Sequence, residues 1–505
     1  MSETPVESSP GEPGIGAHGW SFGDGRFTFT APLAEAPTIG SPVVLTPPDG
    51  RALLGQVGRT VLAEGPPGTA GADAKDLQVL GEGAVIAALG DDNAAAGAPF
   101  VNAEVETAPE PTLRSWVDAQ LGRTAQLELG PARPAGLGTV RLAANGFTRH
   151  TFLCGQSGSG KTYTLGLILE QLLLHTDLKI IVLDPNSDYV RITEMDLEGL
   201  DPDARRRGEA LPDVVRVFRS RGPSPLRIRY GRLPLQQQAL VLGLDPIVDA
   251  EQFDAMRSVV EAMPDPEYSL HDVRARLDLR NDAARRLALR IDNLGAAEWS
   301  VWARSSDTPV MDQLPAGWRG AVIDLGELPH PRERSAIVAS VLSALWEWRH
   351  RREPVLLVID EAHNVSPAAP ADHAQALAIE HAVRIAAEGR KYGLYLLLAT
   401  QRPDRLHPEV LAQAENLVLM KVNSSAAIDL LARTFSHVPR ALLELAPTFT
   451  IGQGLVAGRI TPIPLLFSSD RRRSPEGGAD VPSTWASTAA PRSEQAPGSA
   501  VPVTG

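Results

Sequence analysis

The stretch that most constrains this chain is His150-Thr-Phe-Leu-Cys-Gly-Gln-Ser-Gly-Ser-Gly-Lys-Thr162. A short apolar run, a glycine-rich turn and an apolar-periodic segment from Lys161 to about His175 read as strand, loop and helix. Gly155, Gly160, Lys161 and Thr162 match the spacing G-x-x-x-x-G-K-[ST]. Glycines at 155, 158 and 160 let successive backbone N–H groups turn inward on an anion, and the helix N-terminus adds its dipole. In such a loop Gly155, Gln156, Ser157, Gly158, Ser159 and Gly160 cradle the phosphates of a nucleotide. Lys161 reaches the β- and γ-phosphates, and the Thr162 hydroxyl is a ligand for Mg²⁺. The chain has only five lysines, so abundance does not explain a lysine at this place.

Composition sets the frame. With 505 residues, 43% hydrophobic and 22% charged, the chain has room for a large core and two or three domains. No apolar run approaches the roughly 18 residues of a membrane span, and no basic and apolar leader opens the sequence. A cytoplasmic protein with no integral membrane segment is expected. Cys154 is the only cysteine, which excludes an internal disulfide and reads as strand packing rather than redox chemistry. A net charge of −13 argues against a basic coat on nucleic acid. It leaves open a ring that holds DNA only in a narrow lumen, where local charge decides the contact.

In chain order, 1–18 and 471–505 are rich in Ser, Pro, Gly and Ala and are expected to be disordered tails. Residues 19–108 carry short β-type runs, with 42–46 and 53–57 flanking Pro47-Pro-Asp-Gly50, further runs at 84–89 and 100–105, and a Gly/Pro-rich connection at 65–72. They suggest a small β-barrel for assembly or docking. Residues 109–470 then alternate helix and buried strand, the pattern of a parallel-sheet α/β domain. That rhythm is interrupted at about 196–310 by an arginine-rich, helical-period insertion. Arg205-Arg-Arg207 within it reads as a solvated loop more readily than as a DNA contact, and Trp346 and Trp348 as packing residues.

Leu356-Leu-Val-Ile-Asp-Glu361 supplies a second element: an apolar strand ending in acids. Asp360 would join Thr162 in the Mg²⁺ shell, and Glu361 would polarise a water for in-line attack on the γ-phosphate. Together the two motifs point to nucleotide hydrolysis. Asp360-Glu-Ala-His363 also spells a helicase motif, but about two hundred residues separate Lys161 from Asp360, and one core is present rather than two. A single-core ATPase borrows its second phosphate-contacting face from a neighbour, so a ring is expected.

Several further stretches carry a resemblance: Arg149-His-Thr151, Leu183-Asp-Pro-Asn-Ser-Asp-Tyr189, Val322-Ile-Asp-Leu325, Ile359-Asp-Glu-Ala-His-Asn364, Glu388-Gly-Arg-Lys-Tyr-Gly393, Leu398-Ala-Thr-Gln-Arg-Pro403, Gln413 and Asn416. Over about 20–468 the chain resembles the HerA family of hexameric DNA-translocating ATPases, relatives of the FtsK-type pumps. That resemblance implies a RecA-like P-loop core with a helical insertion behind a small N-terminal β-barrel. It implies that Gln401 senses the γ-phosphate and orients water, and that Arg390 is an arginine finger for the adjacent subunit's ATP. Arg149 is a second inter-subunit candidate; the alternative for each arginine is a surface ion pair. The expected protein is therefore an ATP- and Mg²⁺-dependent motor, a homohexamer that moves double-stranded DNA and serves a nuclease or other effector in end processing or defence. Two alternatives stay open: a scaffolding ATPase ring, and a conjugation-type ATPase acting at a membrane.

Overall fold

The computed structural model describes residues 17–63, 77–90, 97–134, 137–304, 306–370 and 373–477. The expectations for 1–16, for the connection at 65–72 and for 478–505 fall outside those residues.

Six strands, β1 (His18–Ser21), β2 (Arg26–Pro32), β3 (Pro42–Thr46), β4 (Leu53–Leu62), β5 (Gln78–Ala88) and β6 (Phe100–Thr107), close into a barrel in the order β1-β2-β5-β4-β3-β6. Pro47-Pro-Asp-Gly50 makes the β3–β4 hairpin as its turn residues dictate. Phe27, Phe29, Leu45, Leu53, Val57 and Val105 fill the interior. The barrel is seated on the rest of the chain through buried Gln56, whose side-chain N–H donates to Gly40 O (3.1 Å) and Pro464 O (2.6 Å).

After α1 (Glu110–Leu121) the chain builds one eleven-stranded sheet. Its strands are β7 (Gln126–Arg133), β8 (Thr139–Ala143), β9 (His150–Cys154), β10 (Lys179–Asp184), β11 (Val215–Phe218), β12 (Gly320–Asp324), β13 (Val355–Ile359), β14 (Leu394–Thr400), β15 (Ala414–Leu419), β16 (Gln453–Ala457) and β17 (Leu465–Ser468). The order is β11-β12-β10-β13-β14-β9-β15-β16-β17-β7-β8. The run from β11 to β15 is parallel and the remainder antiparallel. Strand alternation divides the apolar residues between two cores: Ile181, Leu183, Leu357 and Ile359 face one, Ile180, Val182, Leu356 and Val358 the other. The α/β class, the barrel and the helical insertion agree with the expectation.

The helices are α2 (Lys161–His175), α3 (Pro202–Glu209), α4 (Leu211–Val214), α5 (Leu235–Val241), α6 (Ala250–Glu261), α7 (Leu270–Arg276), α8 (Asp282–Leu294), α9 (Pro331–Trp348), α10 (His373–Glu388), α11 (Pro408–Leu411), α12 (Ser425–Thr434) and α13 (Arg440–Leu443). Three local differences from the sequence reading have physical causes. The stretch at 196–310 is not wholly helical, because Val215–Phe218 pairs in parallel with β12 and extends the sheet. Arg205, Arg206 and Arg207 lie in α3 rather than a loop. Arg205 pairs with Glu209 at 3.3 Å and Arg207 with Asp177 at 2.7 Å, while Arg206 pairs with Asp203. Trp346 packs edge-on to Tyr392 at 6.0 Å, and Trp348 packs against Trp318 at 6.4 Å.

The third difference concerns the expected tail. Residues 469–477 pack as a strap over α2, because that helix carries a fully buried carboxylate, Glu170, on an otherwise apolar body. A buried carboxylate needs donors. Arg473 N–H (2.8 Å) and Ser474 N–H (2.7 Å) provide them, and the buried Arg472 guanidinium lies 3.7 Å away. Arg472 also sits over the Tyr189 ring at 5.6 Å. Glu170→Ala would remove the buried carboxylate beside the Arg472 guanidinium, leaving it the part-exposed Glu476 at 3.5 Å, and would take the acceptor from Arg473 and Ser474 N–H. A loss of about 3 kcal/mol is expected, read as a lower thermal midpoint together with new proteolytic cleavage within 469–477.

Candidate nucleotide site

The loop Gly155–Gly160 is tied to its neighbours before any ligand is considered. Gly155 N–H donates to Thr400 O (3.3 Å) and Gln156 N–H to Lys421 O (2.9 Å), anchoring the loop to the ends of β14 and β15. Gly160 caps α2 at φ +91°, and a Cβ there would lie 2.9 Å from Gly452 N, so only glycine serves. Ser159 is buried with a hydroxyl that has no partner among the described residues, and Ser157 and Gly158 are exposed. An orphan buried hydroxyl in this glycine-rich loop fits a phosphate oxygen.

Strand β13 is buried at every position and ends by delivering Asp360 and Glu361. Lys161 Nζ lies 2.5 Å from Asp360 Oδ1 and 3.3 Å from Glu361 Oε1, all three side chains being nearly inaccessible. Burial disfavours the ammonium, but the two carboxylates outweigh it and hold Lys161 above the ordinary lysine range. Asp360 also accepts from Glu361 N–H (2.8 Å) and from the Tyr189 hydroxyl (3.1 Å). Burial keeps the Tyr189 phenol well above its usual range, so it remains a donor.

Glu361 sits at φ +45°, a left-handed conformation that costs a non-glycine residue about 1 kcal/mol. The Gln401 amide donates to Glu361 Oε1 at 2.7 Å, while Oε2 has no hydrogen-bond partner among the described residues. His363 Nδ1 is 3.3 Å from that oxygen and 2.9 Å from Thr400 Oγ1; burial holds its ring below the usual histidine range, hence neutral. One Glu361 oxygen is thus committed and the other can accept a proton. Thr162 stands half-buried beside Lys161. Among the described residues no cluster of three or more His, Cys, Asp or Glu side chains could hold a metal. Thr162 with Asp360 fits Mg²⁺ that keeps substrate oxygens and waters as its other ligands.

Lys161, Asp360, Glu361 and Gln401 therefore converge, but Arg149 and Arg390 do not join them. They precede β9 and β14, at the opposite ends of those strands, and a strand the length of β14 spans about 20 Å. There Arg149 Nη1 lies 3.1 Å and Arg390 Nη1 2.5 Å from one Glu415 oxygen. Sequence reading gave Tyr189 no role, although the stretch from Leu183 to Tyr189 stood out. Its turn is shaped by buried Asp184, which accepts from Asp188 N–H (3.0 Å) and Tyr189 N–H (2.9 Å) and is pushed up to about 7 by burial. The Cys154 thiol, fully buried, is pushed up to about 12, consistent with packing alone.

His150 opens β9 beneath the arginine cluster. Its Nδ1 accepts from Leu396 N–H (2.9 Å) and its Nε2 lies 2.9 Å from Ala386 O, so Nε2 carries the proton of a neutral ring. Burial, the largest cause, lowers its pKa from 6.5 to about 4. Below 6.5 the unfolded chain takes up a proton that the folded chain refuses, so stability is lost as pH falls from 6.5 towards 4. The loss approaches roughly 3 kcal/mol. Asp184 acts in the opposite sense, so the check is differential: the thermal midpoint of His150→Gln should fall less steeply than wild type between pH 7 and 4.5.

Residues 128–345 match the family described as helicase HerA, central domain. The DNA double-strand break repair helicase HerA of Sulfolobus acidocaldarius is 22% identical over 353 residues, 68% of each chain. A probable helicase of the same description from Methanocaldococcus jannaschii is 30% identical over 129 residues, 26% of this chain and 25% of that one. Among solved structures, VirB4 of Thermoanaerobacter pseudethanolicus aligns with a TM-score of 0.49 at 17% identity, covering 69% of this chain and 98% of that one.

Proposed function

We propose that this chain, a P-loop ATPase of the HerA/FtsK superfamily, is the subunit of a cytoplasmic homohexameric ring that hydrolyses ATP between subunits and moves double-stranded DNA through its lumen. The observation that carries the reading is the split of the charged and polar chemistry across the sheet. Lysine, both carboxylates and glutamine meet at one end of the parallel strands, and two arginines meet at the other. A subunit built this way offers an ATP site on one side and phosphate-seeking cations on the other.

On ATP binding, Lys161 exchanges Asp360 for the β- and γ-phosphates, and Asp360 and Thr162 would be the residues that hold Mg²⁺. The metal, when bound, neutralises charge on the phosphate oxygens. Glu361 accepts the proton of the attacking water, which Gln401 orients, and Arg390 with Arg149 from the next subunit stabilises the charge that spreads in the transition state. Contacts to DNA would be to phosphates and hence independent of sequence. The ring would serve a nuclease or other effector that processes DNA ends or acts in defence.

Lys161→Ala is expected to abolish turnover, whereas Glu361→Gln should bind ATP but lower kcat at least ~100-fold; normal turnover in either variant would remove the assigned role. The motor reading rests on a separate measurement, ATPase activity with and without linear duplex DNA alongside displacement of a triplex-forming strand. Stimulation with displacement supports it. Turnover indifferent to DNA supports instead a scaffolding ring.

A further inference from the structure

The arginines at the far ends of the strands are not scattered surface cations. Glu415 Oε1 lies 3.1 Å from Arg149 Nη1 and 2.5 Å from Arg390 Nη1, and Glu415 Oε2 lies 3.9 Å from Arg459 Nε. The three guanidinium groups come from three connections: the entry to β9, the turn before β14 and the turn after β16. Three positive charges face one negative charge. Neither nearby imidazole adds another: His150 is neutral, and burial followed by Arg459 holds His437 below its usual range. Isolated, such a cluster would repel itself, so the carboxylate is what allows it to exist.

The backbone is built to put that carboxylate there. Along β9, Ala414 stands opposite His150 and Asn416 opposite Thr151, so Glu415 is the extra residue of a β-bulge. A bulge takes its residue out of the ladder and re-aims its side chain. The next residue, Asn416, is fully buried and fastens the surrounding segments. Its amide N–H groups donate to Gly146 O (3.0 Å) and Thr151 Oγ1 (3.0 Å), and its oxygen accepts from Arg459 N–H (2.7 Å) and Ile460 N–H (3.2 Å). Gly458, at φ +107°, lies so close that a Cβ would come within 2.4 Å of Glu415 O. The turn that carries Arg459 and the segment that carries Arg149 are thus pinned to the bulge by interior bonds, while the four charged groups remain partly exposed.

We infer that Glu415 is a positioning residue: it clamps Arg149 and Arg390 side by side, with Arg459 as a third cation, so that the set is presented ready-formed to the triphosphate of the neighbouring subunit. A guanidinium has five N–H donors, and Glu415 engages one nitrogen of each of the two arginines it holds, so the clamp leaves donors for phosphate oxygens. It acts by orientation, sparing the ordering of two long side chains when the interface forms. The inference rests on the arginines acting in trans, as proposed above, and extends that reading to Glu415 and Arg459.

The test uses the full chain as assembled rings, with steady-state ATPase kinetics for Glu415→Gln, Glu415→Asp, Arg390→Ala and the Glu415→Gln/Arg390→Ala double variant. Glu415→Gln should lower kcat about tenfold with KM for ATP changed less than about twofold, and Glu415→Asp should recover part of the loss. In the Arg390→Ala background, Glu415→Gln should add nothing. Mixing Glu415→Gln with Lys161→Ala subunits should raise turnover, because the latter donate intact arginines. An unchanged kcat in Glu415→Gln, or a loss that adds in full to that of Arg390→Ala, would overturn the role of Glu415. If Arg390→Ala is nonetheless rescued by mixing, the trans reading survives that failure. Full kcat in Arg390→Ala would remove the trans reading and the inference together. Matching melting and light-scattering profiles establish that the variants fold and assemble.

Discussion

One buried ammonium joins the two halves of this site. Lys161 begins helix α2, Asp360 and Glu361 end strand β13, and 199 residues separate the lysine from the first of these acids. Two carboxylates side by side in a dry interior repel one another, and a lone lysine there would give up its proton. Each half is tolerable only in the presence of the other. In the proposed function the same pairing makes the site responsive, because a polyphosphate would offer Lys161 a stronger anion and leave Asp360 free for a cation.

The parallel sheet turns this local balance into a division of labour. In the proposed reading, side chains at the C-terminal ends of β9, β13 and β14 receive the nucleotide, as open α/β sheets commonly arrange. The N-terminal ends of β9 and β14 carry Arg149 and Arg390, and that of β15 carries the Glu415 that holds them, about one strand length away. The two sets share strands, so a rigid sheet fixes their spacing. The antiparallel half, β16 to β8, supports the first end and contributes to the second: Gly452 N–H, just before β16, donates to Ser159 O, and the turn after β16 carries Arg459.

Much of this was legible in advance because its signals are local. The glycine spacing from 155 to 160, the all-apolar run into Asp360 and the hairpin at Pro47-Pro-Asp-Gly50 each announce a backbone geometry through nearby residues alone. What was not legible depends on pairings distant in sequence. Val215–Phe218 is too short to stand out from its helical surroundings, and becomes a strand only because β12 offers an open edge. The strap at 469–477 reads as tail composition, and is ordered by a glutamate 300 residues earlier whose burial the periodicity of α2 does not reveal. The bulge at Glu415 leaves no mark in the sequence; it exists because Asn416 satisfies backbone groups from two other segments.

The strap also gives the protein a mechanical property. Arg473 and Ser474 are bonded to Glu170 in the middle of the helix that Lys161 begins, and Ser469 is bonded to Thr164 one turn from the lysine at 2.7 Å. Force applied to the strap would therefore pass straight into the body of α2 and its first turn, so the strap is a mechanical tie between residues 469–477 and the helix that Lys161 begins.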